Sequence, residues 1–175
     1  MARTLRAALA VAASLAAVAG AAPTATAADK PHTQLVTANG ALCVGASPDF
    51  SVMLDECRTD WMFPGVWDAV PAADSTLELR WAGGDLNACL AVENSGTQAG
   101  ANVRLVNCNG AANTRWQLDL VDPVRKLYQL RPAHTADRCL DVPNSDVVKM
   151  KPLQQWTCNQ TDAQLWRVKK ITLPW

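Results

Sequence analysis

Three landmarks repeat at one fixed interval in this chain. Cys89 to Cys139, Cys108 to Cys158 and Trp116 to Trp166 are each separated by 50 residues, with no insertion or deletion between them. An internal repeat of that length decides the architecture before any single residue is read, because each copy is one supersecondary unit that buries its apolar face only against its neighbours. A fainter first copy precedes these two. It runs from Leu35-Val36 through Leu42-Cys43-Val44 to Cys57 and Trp67, with its cysteines 14 positions apart where those of the later copies are 19 apart.

Within each copy the apolar stretches are short and punctuated by turn formers. Leu77-Glu78-Leu79-Arg80 precedes Cys89-Leu90-Ala91-Val92, and Leu127-Tyr128-Gln129-Leu130 precedes Cys139-Leu140-Asp141-Val142. Gly-Gly, Asn-Gly, Pro-Asn-Ser and Asn-Gln-Thr-Asp separate such runs, and no window sustains helical three-four spacing. The pattern predicts strands and turns throughout, hence an all-β fold. Three units closing around one shared core would also remove most exposed sheet edges.

The beginning of the chain reads as a secretory leader. Arg3 and Arg6 are followed by an uncharged Ala-rich run over Ala7 to Ala19 and by Ala25-Thr26-Ala27, a small-x-small cleavage site. The apolar run is shorter than the roughly 20 strongly apolar residues of a membrane span. Cleavage after residue 27 leaves 148 residues, enough for one domain, and 14 basic against 16 acidic residues. A nearly neutral chain lacks the electrostatic footprint that nucleic acid or an anionic membrane requires. The six cysteines fall after the leader, and an even number in an exported chain points to disulfides. If they pair within each copy, the bonds are Cys43 with Cys57, Cys89 with Cys108 and Cys139 with Cys158. Zinc is disfavoured, since no Cys-x2-4-Cys pair exists and His32 and His134 lie far apart. No metal or other cofactor is expected.

The run Cys139-Leu140-Asp141-Val142, then Leu153-Gln154-Gln155-Trp156-Thr157-Cys158-Asn159, then Gln164-Leu165-Trp166 resembles the ricin B-type β-trefoil lectins, whose domain also serves as a carbohydrate-binding module. The likeness covers essentially all of the mature chain. It implies a β-trefoil over residues 28–175 with repeats at about 33–74, 75–124 and 125–175. The second copy reads Thr114-Arg115-Trp116 and the first Gly65-Val66-Trp67 where Gln-x-Trp is expected. Carried over position by position, the family's sugar ligands are Asp141, Gln154, Trp156 and Gln164, with Asn159 adjacent. The expected ligand is a glycan, of galactose type or another saccharide. Ala163 stands where many members have Asn, and Lys149-Met150 where Asn-Gly often opens the hairpin.

A neutral sugar offers hydroxyls that want directional hydrogen bonds and a C–H face that lies on an aromatic ring. The third copy supplies both. Each residue also has a structural reading: Asp141 as a turn former, Asn159 likewise, Gln164 and Trp166 as parts of the core, Trp156 as a buried strand aromatic. Gln154 and Trp156, two apart, would share one strand face. The second copy has Ala91, Arg104 and Val106 at the positions of Asp141, Gln154 and Trp156, and the first has Gly45 and a shortened hairpin. Both are expected not to bind sugar.

Catalysis is not expected, since no nucleophile, zinc or phosphate motif is present. Asp55, Glu56 and Asp60 read as solvated surface acids rather than a glycosidase pair. An alternative role is protein binding, as a toxin accessory subunit or inhibitor, because fold does not fix function. The apolar segment Trp61-Met62-Phe63-Pro64-Gly65-Val66-Trp67 is either a core corner or a patch for such a partner.

Overall fold

The computed structural model describes residues 31–59, 65–84 and 86–173. The leader, and Trp61 to Pro64 of the apolar segment, lie outside the described residues. Twelve strands and four short 3₁₀ turns make up the fold, with no α-helix among the described residues.

Six strands close into a ring. Strands β1 (His32–Thr37), β4 (Trp67–Pro71), β5 (Leu77–Trp81), β8 (Arg115–Asp122), β9 (Leu127–Pro132) and β12 (Trp166–Ile171) pair antiparallel, from β1 to β12, β9, β8, β5, β4 and back to β1. Closure leaves this barrel without a free edge. Three hairpins stand beside it, one per copy: β2 (Cys43–Ala46) with β3 (Val52–Asp55), β6 (Ala88–Val92) with β7 (Val103–Asn107), and β10 (Arg138–Asp141) with β11 (Gln154–Thr157). The hairpins join across the pseudo-threefold arrangement. Leu153 N–H donates to Val52 O at 3.3 Å, and Val103 N–H to Leu153 O at 3.0 Å. This is a β-trefoil.

The repeat explains the core. Trp67, Trp116 and Trp166 are all buried in one apolar cluster with Leu35, Leu54, Leu90, Leu130 and Leu140. An indole buried in such a cluster must still satisfy its N–H. Each does so the same way, donating to the carbonyl of the residue after its copy's first cysteine: Trp67 to Val44, Trp116 to Leu90, Trp166 to Leu140. Disulfides Cys43–Cys57, Cys89–Cys108 and Cys139–Cys158 clamp each hairpin, as local pairing within the copies requires. Val66 and Trp67, the described end of the apolar segment, are core residues.

Candidate functional site

The third hairpin aligns its polar residues by register. Asp141 lies opposite Gln154, Leu140 opposite Gln155 and Cys139 opposite Trp156. Side chains alternate across a strand, so Leu140 and Gln155 turn inward and are fully buried. Gln154 and Trp156 take the other face. Gln154 is half-buried and Trp156 keeps 43% of its surface exposed, which removes the reading of Trp156 as a core aromatic.

Asp141 is only 5% exposed, and both its oxygens are held. Gln154 Nε2 donates to Oδ2 at 2.7 Å and Gln164 Nε2 donates to Oδ1 at 3.0 Å. A carboxylate oxygen accepts more than one hydrogen bond, so the carboxylate is fixed in orientation without being used up. Gln164 is fully buried and wholly committed: its amide nitrogen also donates to Thr157 O at 2.9 Å, and its oxygen accepts Asn159 N–H at 2.8 Å. Asn159 is exposed, and its Oδ1 accepts the Thr161 N–H and hydroxyl at 3.0 and 2.8 Å, closing a turn. The geometry thus brings Asp141, Gln154 and Gln164 into one network, places Trp156 one strand step beyond Gln154, and leaves Asn159 at the edge.

Two further residues shape this site that sequence reasoning passed over. Gln155 sends its buried amide into the second copy, donating to Gly96 O at 2.8 Å and Gln98 O at 2.9 Å, while its backbone carbonyl accepts Gly100 N–H at 2.8 Å. That loop walls the site. Gly100 has φ +85°, and a Cβ there would lie 3.6 Å from the Trp156 ring and 3.9 Å from Gln154 Oε1. The available signal was alternation: an amide between Gln154 and Trp156 must face the core, where it needs partners.

The other two copies have different chemistry at these positions. In the second, Arg104 lies opposite Ala91 and is drawn to Glu93 at 3.6 Å and to Asp49 O at 3.1 Å. Thr114 replaces the glutamine, and a buried carboxylate from β5 takes over its accepting role. Glu78 Oε1 accepts Gly110 N–H at 3.0 Å and the Thr114 hydroxyl at 3.2 Å. Glu78 also sits close to Cys89 and Cys108, but those sulfurs are joined to each other and offer no thiolate for a metal. In the first copy, Gly45 faces Met53 and Cys43 faces Asp55. A cavity of about 690 Å³ opens there between Met53, Asp55, Trp81, Met150 and Pro152. It lies away from the third-copy network and lacks its carboxylate–amide pair. On its rim, bonds from the Ser47 and Ser51 hydroxyls and the Ser51 N–H hold the Asp49 carboxyl down at about 2.

Comparison with known proteins places this architecture. The profile of the ricin-type beta-trefoil lectin domain-like family matches residues 60–150. Serine protease 1 of Rarobacter faecitabidus is 36% identical over 75 residues, which is 39% of this chain and 14% of that protein. Among solved structures, the designed threefold-symmetric protein ThreeFoil superposes with a TM-score of 0.70 at 24% identity, covering 80% of this chain and 99% of its own. The ricin B-like lectin of Macrolepiota procera, solved with lactose, gives a TM-score of 0.66 at 14% identity over 82% of this chain and 98% of its own. An exo-beta-1,3-galactanase from Clostridium thermocellum gives 0.71 at 16% identity over 82% of this chain but 31% of its own. Such identities speak for the fold, and the profile match, which spans more than half of the chain, speaks for the family. This chain belongs to the ricin-type beta-trefoil lectin domain-like family.

Proposed function

We propose that the protein is a secreted carbohydrate-binding protein without catalytic activity, holding sugar at a single site in its third copy. The observation that carries this reading is the exposed Trp156 ring on the same strand face as the Gln154–Asp141 pair. A stacking surface beside a fixed acceptor and an amide is what a saccharide's two faces need. Asp141 and Gln154 would take hydroxyls, Trp156 the C–H face, and Asn159 an outlying hydroxyl. Gln164 acts by holding Asp141. The first and second copies close the fold.

Export is supported by the leader-like segment and by three disulfides, which persist in oxidising compartments. A galactose-type ligand is the first choice to test, given the lactose in the Macrolepiota procera lectin structure. The test is a glycan array probed with the mature protein and with Asp141→Asn. Binding to a defined glycan set that disappears in the variant is the expected result. An array with no signal, or one unchanged by the substitution, contradicts the reading.

A further inference from the structure

Away from the hairpins, the ladder between β1 and β12 places Gln34 opposite Lys169 and Val36 opposite Arg167 on one face. The turn between β8 and β9 brings Lys126 to the same place. Together with Gly40 these residues line a pocket of about 420 Å³ that, among the described residues, holds three cations and no carboxylate. The chain as a whole carries no formal net charge, so this is a local concentration of positive charge.

Among the described residues no carboxylate pairs with Lys126, Arg167 or Lys169. Arg167 donates to two backbone carbonyls, Arg125 O at 2.7 Å and Ala38 O at 3.2 Å. Neutral acceptors fix the guanidinium plane but leave its charge uncompensated. Asp122 and Asp162, the acids closest in sequence to Lys126 and Arg167, are both engaged by Arg125, at 2.6 and 3.1 Å. Among the described residues neither Lys126 nor Lys169 is paired with an acid. An oriented guanidinium flanked by two mobile ammonium groups suits the oxygens of a sulfate ester or carboxylate. The pocket is far larger than one inorganic anion, and the buried Gln34, whose amide nitrogen donates to Arg58 O at 3.0 Å, contributes a polar wall.

We infer that this pocket is a second ligand site, taking the anionic group of an acidic saccharide, a sulfate ester or a uronate. It lies on the barrel, whereas Asp141 and Trp156 lie on the third hairpin, so one anionic polymer would meet the chain at two points and gain by multivalency. The choice of a saccharide as bearer of the anion rests on the carbohydrate reading above; the anion site does not.

The test is an amide-shift NMR titration of the mature protein with galactose 6-sulfate, galacturonate, galactose and inorganic sulfate. The two charged sugars should shift amides around Gly40, Lys126 and Lys169, while galactose should not. Lys126→Ser combined with Lys169→Ser, both on exposed side chains, should weaken the charged sugars by about tenfold or more, the loss expected for charge-assisted bonds. Arg167 is spared because its bonds to Ala38 and Arg125 tie the barrel. Trp156→Ala should leave these shifts unchanged, which separates failure here from failure of the third-copy site. The inference is overturned if the double variant binds as well as the native chain, if charged sugars shift amides only around Trp156, or if inorganic sulfate binds as tightly as galactose 6-sulfate.

Discussion

The indole N–H of Trp166 donates to the carbonyl oxygen of Leu140 at 3.3 Å, tying the end of the third copy back to the strand that carries Asp141. Trp116 and Leu90 repeat the bond in a copy that lacks the sugar residues, so the bond belongs to the fold and not to the ligand. Trp166→Ala removes a fully buried ring and leaves Leu140 O without its partner. The expected cost is about 3 to 5 kcal/mol, read from chemical denaturation. A loss below about 1 kcal/mol, closer to an ordinary surface substitution than to an emptied core site, contradicts this role.

The disulfides make a second prediction. On the chain-entropy view, closing loops of 14 to 19 residues stabilises by roughly 3 kcal/mol each. Replacing Cys89 and Cys108 by serine should lower stability by about that amount, and nonreducing peptide mapping of the native chain should recover the three local pairs.

Glu78 gives a prediction in pH. Burial pushes its carboxyl up, but the Arg80 bond, the Gly110 N–H and the Thr114 hydroxyl outweigh it and hold the group below its ordinary value of 4.5. A carboxyl lowered on folding contributes stability above its unfolded value and loses it as pH falls through the folded one. The native chain should therefore lose stability below about pH 4.5 by a step that Glu78→Gln lacks, measured as urea midpoints across pH. Glu78→Ala should cost about 1 to 3 kcal/mol at neutral pH by stranding its donors. Equal pH profiles for the native chain and Glu78→Gln would remove Glu78 from this role.

Affinity at the third-copy site should be low for a simple sugar. One stacking ring contributes about 1 kcal/mol and a few hydrogen bonds about 0.5 to 1.5 each, a total near −4 kcal/mol and a dissociation constant of order millimolar. Calorimetry with a monosaccharide should show this, and clustered presentation of the same sugar should raise the apparent affinity. Micromolar binding of a monosaccharide by the monomeric chain contradicts a single-site account.

Sequence was informative where a residue's role repeats. Trp116 and Trp166, 50 residues apart with their cysteines in step, led to the barrel core and the disulfide pairs because each copy solves the same packing problem. Alternation along Gln154-Gln155-Trp156 was enough to put Gln154 and Trp156 on one face. What stayed hidden depends on contacts between residues far apart in sequence, two of the three between copies. Gly100 against Trp156, Gln155 reaching Gly96, and Glu78 standing in for a missing glutamine at Thr114 join residues 36 to 59 positions apart. No local pattern encodes such partners, and they become visible only in the folded chain. The Arg167 pocket is hidden for the same reason, since Lys126 and Lys169 come together with Gln34 and Val36 of the first copy only in the folded barrel.

Trp156→Ala tests sugar stacking at the third copy without an intermediary, because the ring is the site's exposed component and its second-copy counterpart is Val106, a smaller side chain that the scaffold accommodates. The measurement pairs thermal unfolding of the variant with its retention on a column of immobilised glycan that holds the native chain. The expected result is a melting temperature within about 4 °C of native, the shift that roughly 1 kcal/mol produces in a domain of this size, together with complete loss of retention. A variant that unfolds, or one that is still retained, contradicts it.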